Sequence, residues 1–212
     1  MTEYYVPARA SETEFVEKRS RFIGRVWRVE DEAEAKERIA EMKAKHYDAR
    51  HNCWCYILHE GGITRYSDDG EPQGTAGQPM LEVFKREGVE NVCCVVTRYF
   101  GGVLLGAGGL LRAYTRSAKD ALTESGIAPV RLWTETQLLC PYHLLERMKL
   151  EVANAQGELG EMEYGEQVRL QALLPAEGFA PFAARVTELT AGQLTPEKLG
   201  ERMCAALPDE AK

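Results

Sequence analysis

The sequence predicts an α+β protein made of two α/β sandwich domains. Three observations support this prediction. The 212 residues suffice for one or two domains of roughly 150 residues each. Strand and helix patterns follow one another along the whole chain. The charge is uneven, because residues 1–132 hold 19 basic and 20 acidic side chains whereas residues 133–212 hold 7 and 13. We therefore expect domains over residues 1–128 and 133–212, with a short joint at 128–131.

The first domain begins with extended and helical patterns. Residues 15–29 predict an extended segment in which Gly24 marks a bend. Residues 31–46 carry apolar side chains at helical spacing on one side, which predicts an amphipathic helix. Residues 53–58 are apolar on both faces, as in a buried strand. A Gly-Gly turn then leads into residues 63–67, the second strand of a hairpin.

The rest of the first domain contains two helices around a strand. Residues 80–86 predict a short helix. Residues 92–97 are continuously apolar, which is typical of the most central strand of a sheet. Residues 110–124 predict a longer helix, ended by a glycine. The predicted core face of this helix consists of Leu111, Tyr114, Ala118 and Leu122.

The second domain follows a β-α-β-β-α order. Its predicted elements are strands at 134–140, 159–163 and 168–174, with helices marked by apolar residues from 145 to 152 and from 179 to 189. This order matches a ferredoxin-like βαββαβ unit. The expected last strand, near residues 193–195, is weak because Pro196 interrupts it, and residues 197–206 have a helical pattern.

Composition excludes several classes of protein. Hydrophobic residues are 44% and charged residues 28%, the usual mix of globular proteins. No apolar run approaches the roughly 20 residues of a membrane span, and residues 1–9 have no apolar signal core. We therefore expect a cytoplasmic protein with no membrane partner. The six cysteines lack redox or zinc spacing, so we expect buried, reduced thiols and no metal or other cofactor. The net charge of −7 argues against simple charge-driven nucleic-acid binding.

The strongest local signal is TRYFGGVLLGAGGLLRAYTR, residues 97–116. Five glycines stand between a buried strand and a helix start, where backbone N–H groups and the helix dipole favour an anion. Arg98 precedes them, and three basic residues follow at helical spacing. An anion or phosphate site is one interpretation. A tight strand-to-helix crossing with locally paired arginines is the other. The candidates are Arg98, Gly101, Gly102, Gly106, Gly108, Gly109, Arg112 and Arg116, with Lys119 continuing the basic stripe.

A second signal is the acidic loop SDDGEPQGTAGQP, residues 67–79. Asp68, Asp69 and Glu71 are candidates for holding a divalent cation, and Asp68 or Asp69 for acid–base chemistry. Gln73 and Thr75 add uncharged hydrogen-bonding groups that suit a recognition loop. The alternative is that these are turn residues whose side chains bond their own backbone.

Both segments resemble those of the YigZ/IMPACT family, and they occur in the family's order. The family's central pattern is met by Arg98, Tyr99, Phe100, Gly101, Gly102, Leu105 and Gly106. The resemblance covers the chain, with residues 15–125 similar to the family's N-terminal domain and residues 133–212 to its small bacterial C-terminal domain.

The resemblance implies a fold for each domain. It implies an N-terminal domain like the second domain of ribosomal protein S5 and a C-terminal domain like the ferredoxin-like domain V of elongation factors. Eukaryotic relatives regulate translation. The resemblance carries no catalytic residue to this sequence.

Three functions follow from these observations. The favoured one is a non-enzymatic, translation-associated module that contacts the ribosome, RNA or a translation factor through the first domain. The second is an enzyme for a small phosphorylated or anionic ligand held by the glycines, with Asp68 or Asp69 as acid, base or metal ligand. The third is a protein-binding adaptor without nucleic acid, which the acidic second domain favours.

Overall fold

The computed structural model describes residues 4–205, which form two compact units, Tyr4–Pro129 and Val130–Cys204. The α+β class predicted from the sequence is confirmed, since the described residues contain helices packed on two five-stranded sheets. The first unit contains β1 (Tyr4–Pro7), β2 (Ser11–Glu17), β3 (Ser20–Arg28), α1 (Glu32–Lys45), β4 (His51–Ile57), β5 (Thr64–Ser67), α2 (Gly77–Arg86), β6 (Val92–Tyr99) and α3 (Ala107–Ser125).

The strand β7 (Ile127–Cys140) includes the residues predicted as a joint, 128–131. The elements that follow it are α4 (Leu145–Asn154), β8 (Glu158–Tyr164), β9 (Val168–Pro175), α5 (Phe179–Leu189) and β10 (Glu197–Ala205). None of the helices in residues 4–205 is long and apolar enough to cross a membrane.

The main sheet of the first unit has the order β2-β3-β6-β4-β5, and its neighbours are antiparallel. Side chains alternate between its two faces. Cys94 and Val96 of β6 pack in the core that includes α2 and α3, whereas Cys93 and Val95 pack in the core that includes α1. The prediction that β6 is the central, fully buried strand is therefore confirmed, because both of its faces are covered.

The α3 helix begins earlier than predicted and buries a shifted face. Leu111, expected in the core, is 45% exposed, and Leu110 and Ala113 are buried in its place. Leu111 lies at the margin of the apolar stripe and lines a groove beside α2. The predicted core positions at Tyr114 and Ala118 are confirmed.

The single extended segment predicted at residues 15–29 is wrong, because the chain reverses within it. Strands β2 and β3 form a hairpin whose two turn residues, Lys18 and Arg19, have φ of 44° and 67°. Two left-handed residues are the geometry of a tight type I′ turn. Gly24 does not mark a bend. A Cβ at this position would lie 2.6 Å from the carbonyl oxygen of Ser117, so this glycine lets β3 approach α3 closely.

The second unit has the strand order β10-β7-β9-β8. Numbered within the unit, this is the 4-1-3-2 order of a ferredoxin-like βαββαβ fold. Its core consists of one face of the sheet and the apolar sides of α4 and α5. The helical prediction for residues 197–206 is wrong over the described part, because residues 197–205 form β10. Residue 206 lies outside the described residues. Pairing with β7 outweighs the local helix propensity of this segment.

Candidate functional site

The glycine-rich connection from β6 to α3 leaves the start of α3 open. Gly106 is the N-cap residue, with φ of 74°, and no side chain caps the helix. Leu110 N–H donates to the carbonyl oxygen of Gly106 at 2.9 Å. The three preceding N–H groups, of Ala107, Gly108 and Gly109, have no acceptor among the described residues. Since the first turn also carries no acidic side chain, these donors and the positive end of the helix dipole are unneutralised.

Two other glycines of this connection are constrained, one by a close contact and the other by its backbone conformation. Gly101 follows β6 and touches the β2–β3 turn so closely that a Cβ would lie 2.0 Å from the carbonyl carbon of Arg19. Its N–H donates to Ser20 Oγ at 3.3 Å. Gly102 has φ of 82° and open space around it. The close approach of the β2–β3 turn therefore constrains Gly101, and the left-handed backbone constrains Gly102.

The first two acidic residues of the acidic loop hold the loop in place. Asp68 accepts hydrogen bonds from the N–H groups of Gly74, Ala76 and Gly77, at 2.8–3.1 Å, and so caps the start of α2. Asp69 accepts from Lys43 Nζ at 2.6 Å and from the N–H of Asn52 at 2.7 Å. Asp68 therefore bonds the backbone of its own loop, as the turn-residue alternative expected, whereas Asp69 joins the loop to α1 and β4.

Two other candidate residues of the acidic loop carry no charged group. Thr75 Oγ1 donates to the carbonyl oxygen of Pro72 at 2.6 Å, and Gln73 is exposed. Within residues 4–205, no group of three or more His, Cys, Asp or Glu side chains is arranged to hold a metal ion.

The third acidic residue, Glu71, is at the centre of a buried polar cluster. Its Oε1 accepts from Arg98 Nη1 at 2.6 Å and from the Tyr114 hydroxyl at 2.8 Å. Arg98 Nη2 donates to Ser20 Oγ at 3.2 Å. Burial and the neighbouring Cys53 and Glu71 raise the pKa of Tyr114, which keeps the phenol protonated as a donor. Arg98 is thus an ion-paired wall residue rather than a free anion ligand.

His51 lies beside this cluster. It pairs with Arg98 in the β4–β6 register, and its Nε2 is 3.8 Å from Glu71 Oε2. His51 Nδ1 lies 2.8 Å from the carbonyl oxygen of Asp69. Because a carbonyl only accepts, Nδ1 carries the hydrogen. His51 is not among the candidate residues that the sequence predicted. Because His51 alternates with Cys53 and Cys55 along β4, the sequence does indicate that the three side chains lie on the same face of the sheet.

Both loops line one cavity of about 360 Å³, here called the α3 cavity. The glycine-rich connection contributes residues 104–107 and the acidic loop contributes residues 70–72. His51 and Arg98 form part of the wall between them. Of the candidate residues, the structure therefore brings Arg98, Gly106 and Glu71 together here. The remaining candidates lie elsewhere.

A second opening, here called the basic groove, lies between the β2–β3 turn and α3. It has a volume of about 230 Å³ and is lined by Lys18, Arg112 and Arg116, together with Glu17 and Phe15 among others. The Arg116 guanidinium lies 4.2 Å from the Phe15 ring centroid, and its Nε donates to Asp120 at 3.2 Å. Arg112 is exposed and has no carboxylate partner within residues 4–205.

The cysteines offer no activated nucleophile. Cys204 is half-buried, and the other five are buried free thiols, which confirms the prediction of buried, reduced cysteines for these five. Burial raises the pKa of Cys53 and of Cys93, so both remain protonated at neutral pH.

Comparison with known proteins identifies the family. Residues 18–122 match the model of the Impact N-terminal domain, and residues 138–193 match a domain of unknown function, DUF1949. "IMPACT family member YvyE" of Bacillus subtilis is 40% identical, with 90% of this chain and 88% of that protein covered. "IMPACT family member YigZ" of Escherichia coli is 34% identical over 92% of this chain and 97% of the relative. The chain belongs to the IMPACT family.

Further matches extend the family likeness. A solved structure described as "Crystal structure of an hypothetical protein" is 33% identical, covers 94% of this chain and 98% of its own, and superposes with a TM-score of 0.60. "Protein IMPACT homolog" of Dictyostelium discoideum is 34% identical over 48% of this chain and 30% of the relative. The α3 cavity and the basic groove lie within the region that matches the IMPACT N-terminal domain, apart from Phe15 and Glu17.

Proposed function

We propose that the protein is a non-enzymatic, translation-associated binding module whose first unit contacts RNA phosphates through the basic groove. The observation that carries the proposal is the convergence of Lys18, Arg112 and Arg116 on one opening. Lys18 and Arg112 have no carboxylate partner within the described residues, so their charges are available to a ligand. Glu17 is the one acidic side chain in the lining.

The chemistry of these side chains fits a phosphate backbone. A guanidinium presents a fork of N–H donors that matches phosphate oxygens, and an ammonium adds a point charge. Lys119, three residues beyond Arg116 on α3, is also exposed and unpaired among the described residues, which extends the basic surface along the helix. A row of basic side chains can contact the successive phosphates of an RNA strand.

Charge distribution and family membership agree with this assignment. The excess of acidic residues falls within residues 133–212, whereas residues 1–132 are nearly neutral. A contact with RNA is therefore more favourable on the first unit. Membership of the IMPACT family supports a role in translation, since the resemblance implies translational regulation in its eukaryotic members.

Sedimentation with purified ribosomes across a salt series tests the proposal. Each phosphate contact contributes about −0.7 to −0.9 to the slope of log K against log salt concentration. We expect wild-type protein to co-sediment in a salt-dependent way. Arg112→Glu and Lys18→Glu should each weaken binding and reduce the magnitude of the slope by about 1.

A matched charge reversal away from the basic groove provides the control. Arg65 lies on β5, at the opposite edge of the sheet from β2, and is exposed. Arg65→Glu should bind like the wild type. If Arg112→Glu and Arg65→Glu weaken binding equally, the basic groove is not the contact surface. Binding that resists salt and nuclease treatment would contradict RNA contact and favour the protein-adaptor function.

A further inference from the structure

We propose that the basic groove binds single-stranded rather than duplex RNA, and that one base of the strand packs against Phe15 and Arg116. The base contact rests on the proposed function, because it takes the phosphate contacts of the groove as given. Three features support it. They are an apolar part of the lining, a guanidinium held against an aromatic ring, and a volume that suits one part of a strand.

Part of the lining of the basic groove is apolar. Phe15, Leu105 and Ala113 line it together with the basic side chains. Ala113 is buried, and Phe15 and Leu105 pack, partly buried, against the core that includes α2 and α3. Phosphate groups alone do not need such a surface, since charged and polar donors bind them. A groove that combines basic side chains with an aromatic ring suits a ligand that carries both phosphates and bases.

Phe15 and Arg116 form a stack in this lining. The guanidinium carbon of Arg116 lies 4.2 Å from the centroid of the Phe15 ring, well within the distance of a cation–π contact. The Phe15 ring is nearly parallel to that of Phe22, its partner in the β2–β3 register, with centroids 5.2 Å apart. Phe22 is fully buried, so it gives Phe15 a fixed support. The ring and the guanidinium are therefore held in place before any ligand arrives.

Arg116 keeps most of its hydrogen-bonding capacity. Its Nε donates to Asp120 Oδ2 at 3.2 Å, whereas its two Nη atoms have no acceptor within residues 4–205. The side chain is 57% exposed, so a ligand can reach it. Guanidinium planes stack on unpaired RNA bases and can donate to phosphate oxygens at the same time. The ion pair with Asp120 thus orients the group and leaves its Nη donors available.

The size of the groove favours part of a strand over a complete free ligand. Its volume of about 230 Å³ is smaller than the roughly 300–1,000 Å³ of pockets that enclose a small molecule. The base that enters must be unpaired. In an RNA duplex the bases are paired and stacked, and the protein meets mainly phosphates and 2′-hydroxyl groups. Only a single strand can therefore use the apolar part of the lining.

Fluorescence anisotropy of the full chain with labelled RNA tests the proposal. The probes are a single-stranded uridine dodecamer, an RNA duplex of the same length, and an abasic dodecamer that keeps its phosphates. Charge alone would favour the duplex, because both of its strands carry phosphates. We expect the uridine strand to bind more tightly than the duplex and about tenfold more tightly than the abasic strand. If the abasic strand binds as tightly as the uridine strand, no base is held and the proposal is wrong.

Two variants locate the base. Phe15→Leu keeps an apolar side chain but removes the ring, and Arg116→Lys keeps the charge but removes the planar guanidinium. Each should weaken binding of the uridine strand by about fivefold to tenfold. The slope of log K against log salt concentration should not change, because neither variant removes a charge. The matched control is Tyr66→Leu, at an exposed aromatic residue of β5 on the opposite edge of the sheet, which should bind like the wild type. Wild-type affinity in both Phe15→Leu and Arg116→Lys would refute the placement.

The same assay separates the base contact from the proposed function. Arg112→Glu should weaken binding of all three probes and reduce the magnitude of the salt slope by about 1. If the three probes bind equally and only Arg112→Glu weakens them, the groove contacts phosphates but no base. The base contact is then wrong and the proposed function stands. Binding of none of the probes at low salt would overturn both, because phosphate contacts act on any RNA.

Discussion

Gly101→Ala should destabilise the first unit by about 3 kcal/mol. A Cβ at this position would stand 2.0 Å from both the carbonyl carbon and the carbonyl oxygen of Arg19, and 2.5 Å from its Cβ. Overpacking a folded core costs about 1–3 kcal/mol when side chains can adjust. Here the obstructing atoms are backbone atoms of a tight turn, and Arg19 is already fixed at φ of 67°. The upper end of the range is therefore expected.

The neighbouring Gly102 provides the matched control. A Cβ there meets nothing within 4 Å, but φ is 82°, so Gly102→Ala costs only the left-handed conformation, about 1–2 kcal/mol. Urea unfolding followed by tryptophan fluorescence measures both, and Trp27 and Trp54 report on the first unit. With a slope of about 2 kcal/mol per molar urea, the midpoint should fall by about 1.5 M for Gly101→Ala and about 0.5–1 M for Gly102→Ala. Equal shifts would refute the reasoning from close approach.

Three further perturbations test contacts of the first unit. Glu71→Ala should cost about 3–5 kcal/mol in the free energy of unfolding, because it leaves the Arg98 guanidinium buried without its carboxylate; a loss below about 1 kcal/mol in urea unfolding would contradict this. Asp68→Ala should cost about 2 kcal/mol, since three backbone N–H groups lose their acceptor, and hydrogen exchange should quicken first at the start of α2. His46 Nε2 accepts from Arg25 Nη2 at 2.8 Å, and burial together with Arg25 lowers the pKa of His46 below 6.5. The unfolded chain therefore binds this proton first, so stability should fall as the pH decreases below about 6.5. Urea midpoints compared at about pH 7.5 and 5.5 should show a smaller drop in His46→Gln than in the wild type, and equal drops would contradict the assignment.

Burial decided which parts of the fold could be predicted from the sequence. The strand β6 is covered on both faces, and its unbroken run of apolar residues predicted this burial directly. The hairpin of β2 and β3 could not be predicted from the sequence. Its turn residues are Lys18 and Arg19 rather than the Gly or Asn that are typical of a type I′ turn. The residues of β10 are mostly good helix formers, and only pairing with β7 makes them a strand.

The candidate site was predictable in its segments but not in its contacts. The glycine-rich connection and the acidic loop could be recognised from residue types, and they do line one cavity. The separate roles of the acidic residues in the loop could not be predicted from residue types. Asp68 caps α2, whereas Glu71 is buried against Arg98. His51 joins them only through the β4–β6 register, a long-range pairing that local sequence does not encode. Of the other predicted loop residues, Asp69 and Thr75 hold the loop in place, and Gln73 is exposed.

The uncapped start of α3 leaves room for substitutions that would raise the stability of the first unit. Gly108 stands inside the helix, where a Cβ would find Arg112 Nη1 at an ordinary 3.6 Å, so alanine fits. Gly to Ala in a helix gains about 0.5–1 kcal/mol, and an acidic residue in the first turn adds to that. A library screened only for heat resistance should therefore accumulate changes at 107 and 108. The selected variants would be more stable proteins in which a first-turn carboxylate neutralises the positive end of the α3 dipole.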